Sequence, residues 1–248
     1  MSKLAERIRR VTRPEPAPLG FAAAARKPAP TMLSLVRLST GDAAKAREAA
    51  ARGADAVIID SADPKKLKEQ AEKADSVILG VRPQKAVREA VASLKGAGVD
   101  FAVVDAESAM AESLLEENLG YVLALHKSPD DTTLRLLGDL GLDALLVPAP
   151  MQPITLERLL ELRRIAALSR TPLLTEITPD ADSSLLQILR DSGVAGVVVE
   201  GSAIGKLEGL RERIAALPPR GRRREERAEA VLPAQPAQAD EEDEGDED

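Results

Sequence analysis

Apolar positions along this chain fall into short unbroken runs, and four of the runs start at the same offset from a glycine. They read Gly53-Ala54-Asp55-Ala56-Val57-Ile58-Ile59-Asp60, Gly98-Val99-Asp100-Phe101-Ala102-Val103-Val104-Asp105, Gly141-Leu142-Asp143-Ala144-Leu145-Leu146-Val147-Pro148 and Gly193-Val194-Ala195-Gly196-Val197-Val198-Val199-Glu200. The polar or rigid residue that closes each run lies seven positions after its glycine, and successive glycines are 45, 43 and 52 residues apart. A helix ended by a glycine C-cap and followed by a buried strand gives this signature. Its recurrence marks a repeating unit.

Four more apolar runs lie at Met32 to Leu38, Ser76 to Val81, Tyr121 to Leu125 and Pro172 to Ile177, which makes eight predicted strands. Helical patterns separate them over 43–52, 65–73, 84–94, 109–118, 132–140, 156–168, 183–191 and 205–216. Helix starts are marked by Asp63 before Pro64, by Thr155 before Leu156-Glu157, and by Pro129 and Pro179 ahead of acidic residues, which suit a positive helix N-terminus. Alternating βα units with short connections call for a parallel sheet covered by helices. Eight units in the stretch 31–217 favour closure into a single (β/α)8 TIM barrel, with an open doubly wound sheet as the alternative.

Composition narrows the class. There is no cysteine, which excludes a disulfide framework and a thiolate nucleophile and suits a cytoplasmic setting. No apolar run approaches the roughly 18 residues of a membrane span, and the N-terminus lacks the apolar core of a secretory signal. Two Phe, one Tyr and no Trp leave little for stacking on bases or sugars.

Charge divides the chain into three parts. Residues 1–30 carry +5 and form a Pro/Ala-rich basic extension, expected to be disordered apart from a short helix at Leu4-Ala5-Glu6-Arg7-Ile8. Leu19-Gly20-Phe21 could cap a barrel floor. Residues 218–248 pass from the basic cluster Arg220-Gly221-Arg222-Arg223-Arg224 to a run of eight acids over 240–248. That composition reads as a disordered tail; its basic cluster is either an anion or RNA contact or a linker that pairs with its own acids, and the tail could contact a protein. The stretch 31–210 carries −7, so neither nucleic acid nor membrane is an expected partner, while a homo-oligomer stays open.

In a barrel, chemistry sits at the C-terminal ends of the strands. Those ends are Arg37, Asp60, Arg82, Asp105, His126-Lys127, Pro148, Glu176 and Glu200. Asp60, Asp105 and Glu200 share one offset, so all three should point into the mouth. Converging carboxylates need a cation or an arginine to stay ionised, and oxygen ligands suit Mg²⁺ or Mn²⁺; the alternative role is catalytic, with Asp60, Asp105 and Glu200 shuttling protons. Arg37 and Arg82 could instead clamp a substrate's carboxylate or phosphate. Asp60 and Asp105 could also merely cap the helices that follow them, through Ser61-Ala62-Asp63 and Ala106-Glu107-Ser108. His126 is the only histidine and is a candidate acid–base group; Glu176 is another candidate base, with a salt bridge to Arg37 as its plain alternative. Lys127 would need burial to act as a Schiff-base amine.

The segment Gly196-Val197-Val198-Val199-Glu200-Gly201-Ser202-Ala203-Ile204 resembles the strand-eight turn of phosphate-binding TIM barrels, the group of tryptophan synthase alpha subunits and ribulose-phosphate-binding barrels. The resemblance covers about ten residues and implies that Gly201, Ser202 and Ala203 bind a substrate phosphate at a helix start. Glu200 and the sequence Thr175-Glu176-Ile177-Thr178 depart from that pattern. FMN could use the same turn but is not expected, since few aromatic or glycine-rich elements could hold a flavin. The resulting expectation is a barrel enzyme acting on a small anionic or phosphorylated metabolite by lyase, aldolase or isomerase chemistry. The alternative is a non-catalytic barrel that binds or scaffolds through its charged tails.

Overall fold

Eight strands, β1 (Leu33–Leu38), β2 (Ala56–Asp60), β3 (Ile78–Arg82), β4 (Phe101–Asp105), β5 (Gly120–Ala124), β6 (Ala144–Val147), β7 (Leu173–Glu176) and β8 (Val194–Glu200), run in chain order. They pair in parallel and close, β8 against β1, into a barrel, which excludes the open sheet. The structure, a computed structural model, describes residues 2–12, 30–39, 41–60, 67 and 77–218. The expected tail beyond Pro218, the floor cap at Leu19-Gly20-Phe21, the helix over 65–73 apart from Leu67, and the segment Ser61-Ala62-Asp63 through which Asp60 was to cap that helix lie outside the described residues.

The four beat glycines explain why helix gives way to strand where it does. Gly53, Gly98, Gly141 and Gly193 have φ of +85°, +83°, +67° and +99°, a left-handed turn that glycine adopts without strain. Four helix starts fall at polar caps: Asp42 accepts from Ala44 N (2.9 Å), Asp130 from Thr133 N (2.9 Å), Thr155 from Arg158 N (3.2 Å) and Asp182 from Leu185 N (2.7 Å). The helix expected over 109–118 is only a 3-10 turn, Ala111–Leu115. Its chain is diverted by a bridge between Ala86 and Ala109, and Asn118 at φ 68° turns it toward β5.

Strand parity sorts the core into two shells. Val57, Ile59, Ala102, Val104, Leu145 and Val147 face the outer helices. Leu33, Leu35, Ala56, Ile58, Ile78, Phe101, Val103, Val122, Ala124, Ala144, Leu146, Leu174 and Val198 fill the barrel. Phe101 is the largest of these, fully buried, and a Cβ at Gly80 would lie 2.1 Å from its ring. Glycine at position 80 is therefore the space that admits the ring.

The floor is closed by the first helix, α1 (Lys3–Thr12). Leu4, Ile8 and Val11, one face at helical spacing, are buried in the interior cluster. The third residue of three beats holds this helix in place. Asp100 accepts from Lys3 N and Leu4 N, each at 2.9 Å, satisfying amides that a helix start leaves free. Asp143 accepts from the Ser2 hydroxyl, whose oxygen in turn caps Ala5 N at 3.0 Å. Asp55 takes Ser34 N at 2.9 Å and Arg7 at 3.3 Å. In the fourth beat Ala195 replaces the aspartate and is fully buried. The extension expected to be disordered thus begins with an ordered plug, because its apolar face and free amides both find partners under the barrel. Among the described residues no helix is long and apolar enough to cross a membrane.

Candidate functional site

Parity also decides what stands at the mouth. On each strand the inward set ends at a residue singled out above: Leu33, Leu35, then Arg37; Ala56, Ile58, then Asp60; Phe101, Val103, then Asp105; Leu174, then Glu176. Register puts Asp60 beside Arg82 and Arg37 beside Glu200.

Two ion-pair groups form there. Arg37 donates from Nε to Asp60 Oδ2 and from Nη1 to Glu176 Oε1, both at 2.8 Å. Burial works against its charge, but the bonds to Asp60 and Glu176 outweigh that and raise its pKa. The plain alternative for Glu176, a salt bridge to Arg37, is the arrangement present. In the second group Asp105 Oδ1 accepts from Arg82 Nη2 at 2.8 Å and lies 2.8 Å from His126 Nε2. Arg164, from the helix Leu156–Ser169, fixes the loop that follows His126 by donating to Ser128 Oγ (2.7 Å) and Pro129 O (2.8 Å). Spacing along the chain gave no sign of that brace, which joins residues 36 apart.

Asp60, Asp105 and Glu200 are not gathered as a metal cluster: Asp60 and Asp105 each meet an arginine, and among the described residues no three His, Asp or Glu side chains stand close enough to hold an ion. Nor do Arg37 and Arg82 present open forks. Arg37 is bonded to carboxylates through Nε and Nη1 and Arg82 through Nη2, so a substrate anion held by either would share it with Asp60, Glu176 or Asp105. His126 is exposed and faces the mouth with Nδ1 unengaged among the described residues. Lys127 is exposed and so lacks the burial expected of a Schiff-base amine.

A cavity of about 380 Å³ opens beside β7 and β8, with Arg37, Gln152, Glu176, Thr178, Glu200 and Ser202 among its walls. Ala203 also lines it. Gly201 does not: a Cβ there would lie 2.5 Å from the Leu38 side chain and 3.2 Å from Arg37 O. Its glycine is explained by close packing on β1. The Ser202 hydroxyl leans toward Glu200 Oε2 at 3.5 Å. A larger cleft of about 700 Å³ lies at the floor beside α1. Its one carboxylate, Asp143, is already bonded to Ser2, and the histidine and the arginine–carboxylate groups lie at the mouth, so we place the site there.

No protein-family model matches the chain, and no curated protein matches it at a significant level. Solved structures do. A mutant tryptophan synthase alpha-subunit from Pyrococcus furiosus is 16% identical with a TM-score of 0.56, over 73% of this chain and 96% of its own. Thiamine phosphate pyrophosphorylase from the same organism is 15% identical with a TM-score of 0.55, over 75% and 96%. A chain of the P. furiosus tryptophan synthase α2β2 complex gives 15% and 0.57, over 74% and 95%. The likeness establishes the fold. The similarity spans nearly the whole length of these proteins.

Proposed function

We propose that this barrel is an enzyme that moves a proton on a small anionic metabolite, phosphorylated ones included, in a reaction of the lyase, aldolase or isomerase type. The observation that carries the reading is Asp105 Oδ1 held between Arg82 and His126, 2.8 Å from each. A carboxylate on Nε2 fixes the proton of the neutral ring there and leaves Nδ1 with a lone pair facing the mouth. Arg82, bonded to the same oxygen, holds that carboxylate in place. His126 is then an oriented base that returns the proton as an acid.

The anionic end of the substrate would lie at Ser202 and Ala203, which line the cavity. Two things support this: the strand-eight segment resembles phosphate-binding turns, and one structural neighbour carries a phosphate ester in its name. The scaffold alternative rests on the tail, which lies outside the described residues beyond Pro218.

The test uses the single histidine. Protein labelled with ¹³C/¹⁵N-histidine is mixed in D₂O with glyceraldehyde 3-phosphate, ribulose 5-phosphate, phosphoenolpyruvate and pyruvate. We expect at least one compound to move the imidazole signals and to take deuterium at carbon, and His126→Gln and Asp105→Asn to abolish the exchange without unfolding the chain. A panel that neither moves the imidazole nor exchanges would sink the proposal.

A further inference from the structure

His126 holds a directed bond with a side chain that little else touches. Its side chain is 61% exposed, yet Nε2 stands 2.8 Å from Asp105 Oδ1. Packing cannot fix a ring that open, and one hydrogen bond alone leaves it free to change rotamer. Its direction then depends on the backbone that carries it. That backbone is held on both sides. Leu125, just before His126, is buried and donates its N–H to Leu146 O of β6 at 2.8 Å. The chain is held again from Ser128 on: Ser128 Oγ and Pro129 O accept from Arg164 Nη2 at 2.7 and 2.8 Å, and Arg164 Nη1 pairs with Asp131. Asp130 then starts the helix Asp131–Gly138 by accepting from Thr133 N and Thr133 Oγ1, each at 2.9 Å. Only His126 and Lys127 span the interval between the two held points, and so short a span has little slack.

Arg164 does not work alone. Nearly one turn earlier on the same helix, Leu156–Ser169, Glu161 accepts from Arg158 and from Ser128. Burial works against the charge of Glu161, but those two bonds and the charges of Arg158 and Arg164 hold its carboxyl below the usual range. Ser128 thus accepts from Arg164 and donates to Glu161, which uses both capacities of its hydroxyl. Arg158 Nη2 in turn donates to Pro148 O, just past the end of β6, at 2.7 Å. One helix therefore braces the exits of β5 and β6 through charge-assisted bonds.

We infer that Arg164 is the positioning residue of this site: through Ser128 and Pro129 it fixes the loop that aims His126 at Asp105, and Glu161 seats Ser128 for it. The inference rests on the proposal that His126 moves the proton, and adds what orients it. Arg164 acts through the loop and not on the ligand. An arginine suits the task, since its planar fork serves Ser128, Pro129 and Asp131 together. Small errors matter here, because a base displaced by about 1 Å loses on the order of 10²-fold in rate.

The single imidazole reports this directly. Full-length protein labelled with ¹³C/¹⁵N-histidine is compared with its Arg164→Met, Arg164→Lys, Ser128→Ala, Arg163→Met and Asp105→Asn variants by ¹⁵N–¹H spectra of the ring, with a melting curve for each. Asp105→Asn marks the signals of a ring without its carboxylate. Arg164→Met is expected to move the ring most of the way to that mark and Ser128→Ala part of the way, while Arg164→Lys recovers part of the parent spectrum. Arg163→Met, at the exposed position just before Arg164, should leave the ring where it is. A parent-like ring in folded Arg164→Met, or an equal shift in Arg163→Met, overturns the positioning role and leaves the proton-moving reading in place. If Arg164→Met fails to fold, Ser128→Ala, at an exposed site, decides by the same criterion. A ring that Asp105→Asn does not move overturns the oriented histidine and the positioning role together.

Discussion

At the floor of the barrel, Asp55, Asp100 and Asp143 meet donors supplied by Ser34 and by residues 2–7. At the mouth, Asp60, Asp105, Glu176 and Glu200 outnumber the arginines that face them. Both sets come largely from the same repeat, two residues and seven residues after its glycine. The floor is satisfied from within the chain, and its carboxylates act as caps for a helix that would otherwise start with bare amides. The mouth is left short of positive charge by the chain itself. Asp55 and Asp100, which close the floor, and Asp60 and Asp105, which meet arginines at the mouth, are thus separated by five residues each and by the kind of partner they take.

Four measurements would break or sharpen that contrast. The largest effect belongs to the floor: Leu4→Ala, at a fully buried position inside the barrel, should cost about 2–5 kcal/mol in a urea titration, and a cost near zero would mean that α1 is no plug. Arg37→Met comes next. It leaves Asp60 and Glu176 without their shared cation, and because all three are partly exposed the expected cost is about 1–2 kcal/mol, below that of a fully buried pair.

The third is a pH effect at the floor. Burial, with help from the charge of Asp100 and against the bond from Ser2, raises the Asp143 carboxyl above its ordinary 3.8. The folded chain then holds this proton more tightly than the unfolded one, so the contribution is present below the unfolded value and is lost as pH rises through the folded one. Asp143→Asn should gain on the parent protein as pH rises from about 4 and then keep a constant margin. Urea midpoints from pH 3 to 7 would show it, and a margin that shrinks over that range would contradict the assignment. The smallest effect is at the mouth, where Glu200→Gln should change stability by less than about 0.5 kcal/mol while altering ligand binding; a large loss would make Glu200 part of the scaffold.

The fold could be read in the sequence because its punctuation is local. Gly53, Gly98, Gly141 and Gly193 announce left-handed turns by residue type, and an offset of seven fixes parity, which puts Asp60, Asp105 and Glu200 at the mouth from spacing alone. The roles of Asp55, Asp100 and Asp143 were hidden, since a strand-starting aspartate shows its purpose only when α1, some 50 to 140 residues earlier, lies beneath it. The same holds for Arg37, whose type suggested a substrate clamp while its position between Asp60 and Glu176 leaves no free fork. Gly201 looked like a ligand contact and proved to be a packing contact with Leu38. Residue type reports what a side chain can do; which neighbour claims it depends on closure of the ring.

The bonds that seat α1 join Leu4 to Asp100 and Ser2 to Asp143, across 96 and 141 residues. A chain emerging from the ribosome therefore carries its first helix, with the apolar face of Leu4, Ile8 and Val11, undocked until Asp143 has been made. Contacts of such long range form late and slowly. The helix α1 is among the last pieces to settle, and a probe placed on it would time the completion of the barrel.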